Sequence, residues 1–334
     1  MTKFKQLFID SKILWPLLAL IGILLFNLFF TPGFLNIEIK NGRLFGSLID
    51  ILKHASPLII MSIGMTLVIA TEGIDISVGA VVAISASIAC TLIVGGKSMF
   101  VGIVMALIVS ALCGLWNGVL IAKIGIQPMV GTLILMTIGR GIAQLITKGQ
   151  IVTIDHDGYY YIGNGFLFGI PFAVYVAIFV VIIIHVLLRK TAFGLFIESV
   201  GTNAEASRFT GIKASNVILF AYLLCGLFAG VAGIFISSNV TAADANNAGL
   251  WKEIDAILAT VIGGTSMMGG RIHLMGTVLG ALFIQTLTTT IYATGVPPEI
   301  ILVVKALVVI LVTLLQSPDF RSKLGSMFVR KVVA

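Results

Sequence analysis

Long apolar runs alternate with short polar or glycine-rich stretches along almost the whole chain. A run of about 20 apolar residues is long enough for a helix to cross a bilayer, whereas a soluble helix is apolar on one face only. The pattern therefore predicts an all-α integral membrane protein with a single transmembrane domain over residues 1–334. We expect about ten transmembrane helices, at residues 13–31, 55–71, 77–95, 98–122, 126–147, 166–188, 216–238, 254–270, 274–295 and 299–316.

Composition excludes two other classes of protein. The chain is 58% hydrophobic and 10% charged, with a mean hydropathy of +1.12, whereas soluble domains carry about 25% charged residues. The net charge of +7 does not indicate a nucleic-acid partner, because the basic residues are scattered among apolar runs. Membrane lipid is the expected surrounding. The cysteines lie inside apolar runs and are expected to be small buried side chains: Cys90, Cys113 and Cys225.

The distribution of lysine and arginine predicts the orientation in the membrane. If the N terminus is cytoplasmic, thirteen of these residues fall in cytoplasmic segments, six in outer segments, and two, Arg140 and Lys305, within spans. Positive residues concentrate on the cytoplasmic side, so both termini are expected there. The run 13–31 lacks a following Ala-x-Ala site and is long for a signal peptide, which predicts a retained first helix.

Glycine-rich stretches interrupt two of the predicted spans. Irregular backbone around Gly73–Ser77 and Gly263–Gly270 is tolerated at membrane depth only where protein buries it or where it lines water. A weak similarity between Ile69–Ala83 and Ile262–Ala281 hints at a duplicated half. Other glycines four positions apart share a helix face and are expected to let helices pack closely: Gly114/Gly118, Gly226/Gly230 and Gly276/Gly280.

No catalytic or metal-binding motif stands out. Gly96–Ser98 reads Gly-Lys-Ser, but the earlier glycine that a phosphate-binding loop requires is Thr91, and the segment joins two predicted spans. The four histidines show no ligand spacing. We therefore expect no enzyme activity, no metal site and no cofactor bound by this chain.

The longest predicted cytoplasmic loop runs from Arg189 to Ser215. Between Gly201 and Gly211 it contains a short helix-like stretch for which Asn203 is the predicted N-cap. The loop is either a solvated connector or a short amphipathic helix that docks onto a cytoplasmic partner.

Three motifs in order resemble the permeases of ribose-type ABC sugar importers. They read EGIDISVG at Glu72–Gly79, TAFGLFIESVGTNAEASRFTGI at Thr191–Ile212 and EIDAILATVIGGTSMMGG at Glu253–Gly270. Within that family the chain looks most similar to the galactofuranose permeases, through Gly42–Leu52, Gly139–Thr153, Ala243–Trp251 and Pro297–Glu299. Glu72 departs from the glycine that is commoner at this place in the family.

The resemblance implies a type II-like importer fold in the bacterial plasma (inner) membrane. It also implies that the chain has no ATPase activity of its own, that a cytoplasmic ABC ATPase consumes the ATP, and that a periplasmic sugar-binding protein delivers the sugar. A second permease subunit completes the pathway, as a different chain in the galactofuranose systems. The loop that corresponds to the coupling helix contains Glu198, Gly201, Asn203, Ala206 and Gly211.

Polar residues within spans are candidates for the translocation pathway. Arg140 and Lys305 are cations at membrane depth, Gln144 lies one turn from Arg140, and Asp255 and Glu299 are positioned to supply counter-charge. The cations either pair or snorkel for assembly, or line an outer vestibule for a hydroxyl-rich sugar. Asp75 is expected to be a solvated charge at a helix boundary, with a gating role as the alternative.

The predicted outer loop Thr241–Glu253 carries amides, a carboxylate and an aromatic ring. Asp244, Asn246, Asn247 and Trp251 form either an interfacial anchor or a docking surface for the sugar-binding protein.

Two classes of function compete. The leading one is the permease subunit of an ATP-driven monosaccharide importer, and the alternative is a stand-alone secondary transporter or channel. A secondary transporter usually carries a coupling carboxylate near mid-membrane. The acidic residues here cluster at predicted span ends, which favours the permease.

Overall fold

The structure is a computed structural model that describes residues 13–40, 42–295 and 297–316. Most of these residues are helical, as the apolar pattern predicts. The helices are α1 Leu14–Phe30, α2 Ser47–Ala70, α3 Val78–Val94, α4 Met99–Val119, α5 Pro128–Thr147, α6 Asp157–Asn164, α7 Phe172–Lys190, α8 Ala192–Thr202, α9 Ala204–Phe209, α10 Ala214–Val240, α11 Lys252–Ile262, α12 Leu274–Ala293 and α13 Pro298–Gln316. A π-helical turn, Leu120–Ile124, continues α4.

Among the described residues, six helices are long and apolar enough to cross a membrane: α2, α4 with its π-helical turn, α5, α7, α10 and α12. Shorter apolar helices are α1, α3, α8 and residues Ile300–Leu314 of α13. The expected total of about ten spans and the cytoplasmic termini stay predictions, and residues 1–12 and 317–334 lie outside the described part of the chain.

Helix α10 is the centre of the bundle and packs against α2, α3 and α4. Its contact with α4 depends on the predicted glycine pairs. A Cβ added at Gly226 would lie 2.5 Å from the carbonyl oxygen of Ser110, and one at Gly230 would lie 2.5 Å from the Ser110 hydroxyl. Only glycine lets the two backbones approach this closely. In lipid the hydrophobic effect does not drive helices together, and dispersion contacts at this short distance can hold them instead.

Two irregular segments separate consecutive helices of the bundle. The first break, residues 71–77, joins α2 to α3, and the second break, residues 263–273, joins α11 to α12. The predicted span 254–270 is thus a helix of 11 residues followed by irregular backbone. Helix α11 rises only about 16 Å, about half of the bilayer core. The second break touches the end of α2, because the Gly270 amide donates to the Ala70 carbonyl over 3.0 Å. It also touches the first break, because a Cβ at Gly269 would lie 3.1 Å from the Glu72 amide nitrogen.

Three short antiparallel strand pairs add to the predicted all-α architecture. They are β1 Glu38–Lys40 with β2 Arg43–Phe45, β3 Val152–Thr153 with β6 Ala242–Ala243, and β4 Phe166–Leu167 with β5 Ile170–Pro171. All three pairs lie in connections at one end of the bundle, which we call the hairpin end. The opposite end, with α8, α9 and the two breaks, is called the Gly201 end.

Candidate functional site

Gly201 lies in contact with both the end of α2, where the first break begins, and the second break. It lies in the last turn of α8, and a Cβ there would lie 2.6 Å from the Gly270 amide nitrogen and closer still to the Ala70 carbonyl oxygen. One helix therefore touches the end of α2 and the second break at the same point. The Glu198 side chain adds a link, because its Oε1 accepts a hydrogen bond from the Ile272 amide over 3.3 Å.

The predicted cytoplasmic loop contains two helices rather than one. Helix α8 precedes the predicted stretch, and it docks on the bundle because Ile197 and Val200 are fully buried. The N-cap prediction is confirmed, since Asn203 Oδ1 accepts from the Ala206 amide over 2.8 Å at the start of α9. Gly211 has φ +86°, a left-handed conformation that ends the segment.

Helix α9 presents a residue that the sequence analysis missed. The Phe209 side chain is 86% exposed, next to the exposed Arg208. An aromatic ring and a neighbouring arginine at a helix end are residue types that protein interfaces favour. The signal was present in the sequence, as a phenylalanine next to an arginine in an otherwise polar segment.

Arg140 binds backbone carbonyls rather than a carboxylate. Its Nη1 donates to the carbonyl oxygens of Ala248 over 2.6 Å and of Ala245 over 3.3 Å. One turn later, Gln144 Nε2 donates to Asn246 Oδ1 over 2.6 Å. Helix α5 therefore holds the loop between β6 and α11, and the structure joins the predicted pathway residues Arg140 and Gln144 to the predicted docking loop.

That loop has internal order of its own. Asp244 accepts hydrogen bonds from the Asn247 side chain over 2.7 Å and from the amides of Asn246 and Asn247 over 2.9 and 3.2 Å. These bonds, led by the one from Asn247, hold the pKa of the Asp244 carboxyl below its usual range. Asn246, Asn247 and Trp251 remain exposed, and Trp251 adopts a left-handed φ of +63° immediately before α11.

The loop then runs along α3 into the bundle. Ala245 packs in a cluster with Ala83 and Ile84, and a Cβ at Gly79 would lie 2.6 Å from the Gly249 carbonyl oxygen. Gly79 is near the start of α3, far from the strand pair β3–β6. The loop therefore descends from the hairpin end to the start of the half-length helix α11.

Asp255 and Lys305 form a separate buried ion pair. Lys305 Nζ lies 2.8 Å from Asp255 Oδ1, and their side chains are 9% and 7% exposed. Lys252 Nζ lies 3.7 Å from the other carboxylate oxygen. The expected counter-charge from Asp255 is thus present, while the side chain of Glu299 lies outside the described part of the structure. The pair ties α11 to α13 and does not meet Arg140.

Asp75 corrects the sequence analysis, which expected a solvated charge. It is 1% exposed in the first break. Its Oδ1 accepts from the Ser77 amide over 2.9 Å, from the Ser77 hydroxyl over 2.6 Å and from Asn117 Nδ2 over 3.3 Å. Asp75 is buried because α4 and α10 close over the break. Within the described residues no group of three or more histidine, cysteine or acidic side chains is placed to hold a metal ion.

Comparison with known proteins identifies the class of this chain. Residues 47–313 match the family described as "Branched-chain amino acid transport system / permease component". The chain is 49% identical over 313 residues, 92% of both chains, to the galactofuranose transporter permease protein of Escherichia coli (strain K12). It is 36% identical to the fructose import permease protein of Bifidobacterium longum (strain NCC 2705), over 97% of this chain and 93% of that one.

A third relative is the ribose import permease protein of Escherichia coli (strain K12), which is 33% identical over 94% of this chain and 95% of its own. No solved structure matches the chain. The named relatives are transporter permeases rather than enzymes, and the motifs at Glu72–Gly79, Thr191–Ile212 and Glu253–Gly270 fall within the matched region. The chain therefore belongs to the permease family of ABC sugar importers, as a multi-pass protein of the bacterial inner membrane.

Proposed function

We propose that this chain is the permease subunit of a binding-protein-dependent importer for galactofuranose or a related monosaccharide. A separate cytoplasmic ABC ATPase consumes the ATP, and this chain binds no nucleotide or other cofactor. A periplasmic sugar-binding protein delivers the sugar, and a second permease chain, different from this one, completes the pathway. The sugar assignment is supported by the relative at 49% identity that is named for galactofuranose transport.

The observation that carries the proposal is the position of Gly201. A movement of α8 or α9 reaches the end of α2 and the second break without any intermediate side chain, because Gly201 contacts Ala70 and Gly270 directly. The exposed ring of Phe209 offers an apolar contact surface to an ATPase subunit. In this proposal Glu198, Gly201, Asn203, Ala206 and Gly211 form the coupling segment, on the cytoplasmic side with both termini.

At the hairpin end, the proposal assigns the Arg140-bound loop to the outer mouth of the pathway. Asn246 and Asn247 are exposed and available to a sugar-binding protein, while Arg140 fixes the loop backbone and Gln144 holds the Asn246 side chain. Trp251 is also exposed and is the part of the proposed docking surface nearest α11. Asp255 and Lys305 position α11 beside this mouth.

Reconstitution tests the proposal. Vesicles that contain this chain, its ATPase and the second permease should accumulate galactofuranose only with the loaded binding protein outside and ATP inside. The lone chain, in the same vesicles and at the same density, should accumulate none. Transport by the full set of an amino acid but of no sugar would contradict the sugar assignment.

The buried Asp75 is the observation that favours the alternative, a secondary transporter. A carboxylate enclosed by helices beside a break is a feature of ion- or proton-coupled transporters. A proton gradient imposed across vesicles of the lone chain separates the two functions. Uphill sugar uptake under that gradient would establish the alternative and exclude dependence on an ATPase.

A further inference from the structure

A cavity with a largely apolar wall and several polar side chains opens inside this single chain toward the hairpin end. It has a volume of about 600 Å³ and lies between α2, α7, α10 and α12. That volume is within the range of about 300–1,000 Å³ that small-molecule sites occupy. Among the residues that the structure describes, none from α3 or α5 lines it, and Lys252, which directly follows the Arg140-bound loop, is the point at which that loop meets the cavity.

Two helices turn polar faces toward this cavity. On α2 the lining residues Asp50, Lys53 and His54 recur at helical spacing above Pro57. On α12 they are Gln285, Thr288, Thr289 and Tyr292, with the same spacing of three and four. The lining of α2 continues to Met61, so the cavity extends about 16 Å along that helix. The sequence carried this signal in both helices, but only the fold brings the two faces together.

The polar groups on these faces can hydrogen-bond to a polar occupant, although some already have partners: Lys53 donates to Asn164 and Thr288 to the Ile284 carbonyl. Uncompensated polar side chains inside a membrane protein are costly and usually face water, protein partners or a solute. Gln285 is 7% exposed, and its Nε2 donates a long hydrogen bond of 3.5 Å to Thr289 Oγ1. Pro57 lacks an N–H, so the Lys53 carbonyl has no helical donor. The cavity therefore presents donors and acceptors that can form hydrogen bonds to an occupant.

The mixture of groups indicates the chemistry of the ligand. Asp50 is an acceptor, Lys53 and Lys252 are donors, and the amide and hydroxyls of α12 can do both. Lys53 is already engaged by Asn164 Oδ1 at 2.8 Å, and Lys252 is close to Asp255, so neither lysine is held ready for an anion alone. Phe235 and Tyr292 supply ring surfaces. Donors, acceptors and rings together suit a neutral ring with many hydroxyl groups.

We propose that this cavity is a binding site for a monosaccharide within one permease chain, apart from the pathway between two chains. The inference rests on the proposed function for the class of sugar. It assigns to the permease a selectivity step of its own, beyond the selection made by the binding protein.

Protection of an introduced cysteine tests the site. The reporter is Thr288→Cys in the full chain with Cys90, Cys113 and Cys225 replaced by alanine, labelled with a membrane-impermeant maleimide in right-side-out vesicles without ATP or binding protein. The probes are methyl β-D-galactofuranoside, a neutral locked furanose, and inorganic phosphate. Lys97→Cys, in an exposed loop at the hairpin end, is the control reporter.

We expect millimolar furanoside to slow labelling at position 288 at least fivefold, and to leave labelling at position 97 unchanged. Thr289→Val and Gln285→Leu should each raise the half-protecting concentration at least tenfold. The control Thr286→Val lies on the same helix outside the lining and should change it less than twofold. Protection by phosphate alone, or an unprotected or unreactive position 288 beside a reactive position 97, would overturn the site.

ATP-driven uptake by the complete transporter separates this inference from the proposed function. Normal uptake without protection would reject only the cavity site. Protection by the furanoside in a chain whose complete transporter moves no sugar would uphold the cavity and reject the proposed function.

Discussion

The two breaks occupy equivalent positions between consecutive helices, yet they are held in different ways. In the first break, side chains fix the backbone, since Asp75 Oδ1 accepts three hydrogen bonds from Ser77 and Asn117. The second break has three glycines with positive φ, at Gly264, Gly269 and Gly270. It is held by the backbone bond from Gly270 to Ala70 and by long side-chain bonds of 3.3 Å, among them the one to Glu198 of α8. The first break is therefore fixed by hydrogen bonds to its own side chains, whereas the conformation of the second break depends on its contact with α8.

The largest effect is expected at Gly201, where the two breaks meet. Gly201→Ala places a Cβ against the Ala70 carbonyl and the Gly270 amide, so α8 must shift. We expect ATP-driven sugar uptake to fall at least tenfold, with the ATPase still bound but no longer stimulated by the binding protein. Gly141→Ala is the matched control, because nothing lies within 4 Å of a Cβ there. Equal uptake by both variants would remove Gly201 from the coupling route.

The side-chain support of the first break is the next target. Asp75→Ala leaves the Ser77 amide without its acceptor, while Asn117 Nδ2 keeps its second acceptor, Ser77 Oγ, at 2.9 Å. One buried unsatisfied group costs about 1–3 kcal/mol. We expect a loss of about 2 kcal/mol in the free energy of unfolding, measured by denaturation in detergent. Asp75→Asn keeps an acceptor oxygen and should lose less.

The second break offers the contrasting variant. Ser266 Oγ accepts only from the exposed Met268 amide, over 3.3 Å. Ser266→Ala should therefore change the free energy of unfolding by less than about 0.5 kcal/mol. A loss as large as that of Asp75→Ala would show that the two breaks are supported alike.

Arg140 holds the loop that leads to α11 and so to the second break. Arg140→Leu removes donors to the carbonyls of Ala245 and Ala248. We expect sugar uptake to fall about tenfold, a change that corresponds to about 1.4 kcal/mol, while the chain still assembles with its partners in co-purification. Normal uptake with normal assembly would restrict Arg140 to a structural role at most.

Asp244 tests whether the same loop receives the binding protein. Asp244→Lys breaks the turn formed with Asn246 and Asn247 and reverses its charge. Stimulation of ATP hydrolysis by the loaded binding protein should fall severalfold, with basal hydrolysis unchanged. Asp244→Asn keeps the acceptor and is the control for the charge. An unchanged response to Asp244→Lys would leave the loop as an interfacial anchor only.

A small effect of opposite sign, a gain in stability, is expected at Glu72, near the start of the first break. Glu72 has φ +66° after the last turn of α2, where its amide bonds to the Ile69 carbonyl and the Gly73 amide bonds to Val68. A left-handed residue costs about 1–2 kcal/mol unless it is glycine, which in turn loses about 0.4–1 kcal/mol through the unfolded chain. Glu72→Gly should therefore stabilise the fold by about 0.5–1 kcal/mol. Destabilisation would mean that the Glu72 side chain makes a needed contact.

The sequence by itself determined the class of protein and several local features. Apolar runs long enough to span a bilayer follow from composition, and the family motifs lie in contiguous segments. The Asn203 cap and the use of Gly226 and Gly230 as a close-packing face were predictable, because each depends on neighbours within one turn or on one face of a helix.

Only the tertiary structure decided which distant residues meet. It seated Gly201 against Ala70 and Gly270, turned Arg140 toward carbonyls instead of a carboxylate, and enclosed Asp75. Every residue carries a backbone carbonyl, and all but proline carry an amide N–H. The pattern of residue types therefore does not show which of these groups a distant side chain will contact. Contacts between residues more than 60 positions apart depend on how whole helices pack, and helical periodicity fixes only the face that each residue shares with its near neighbours.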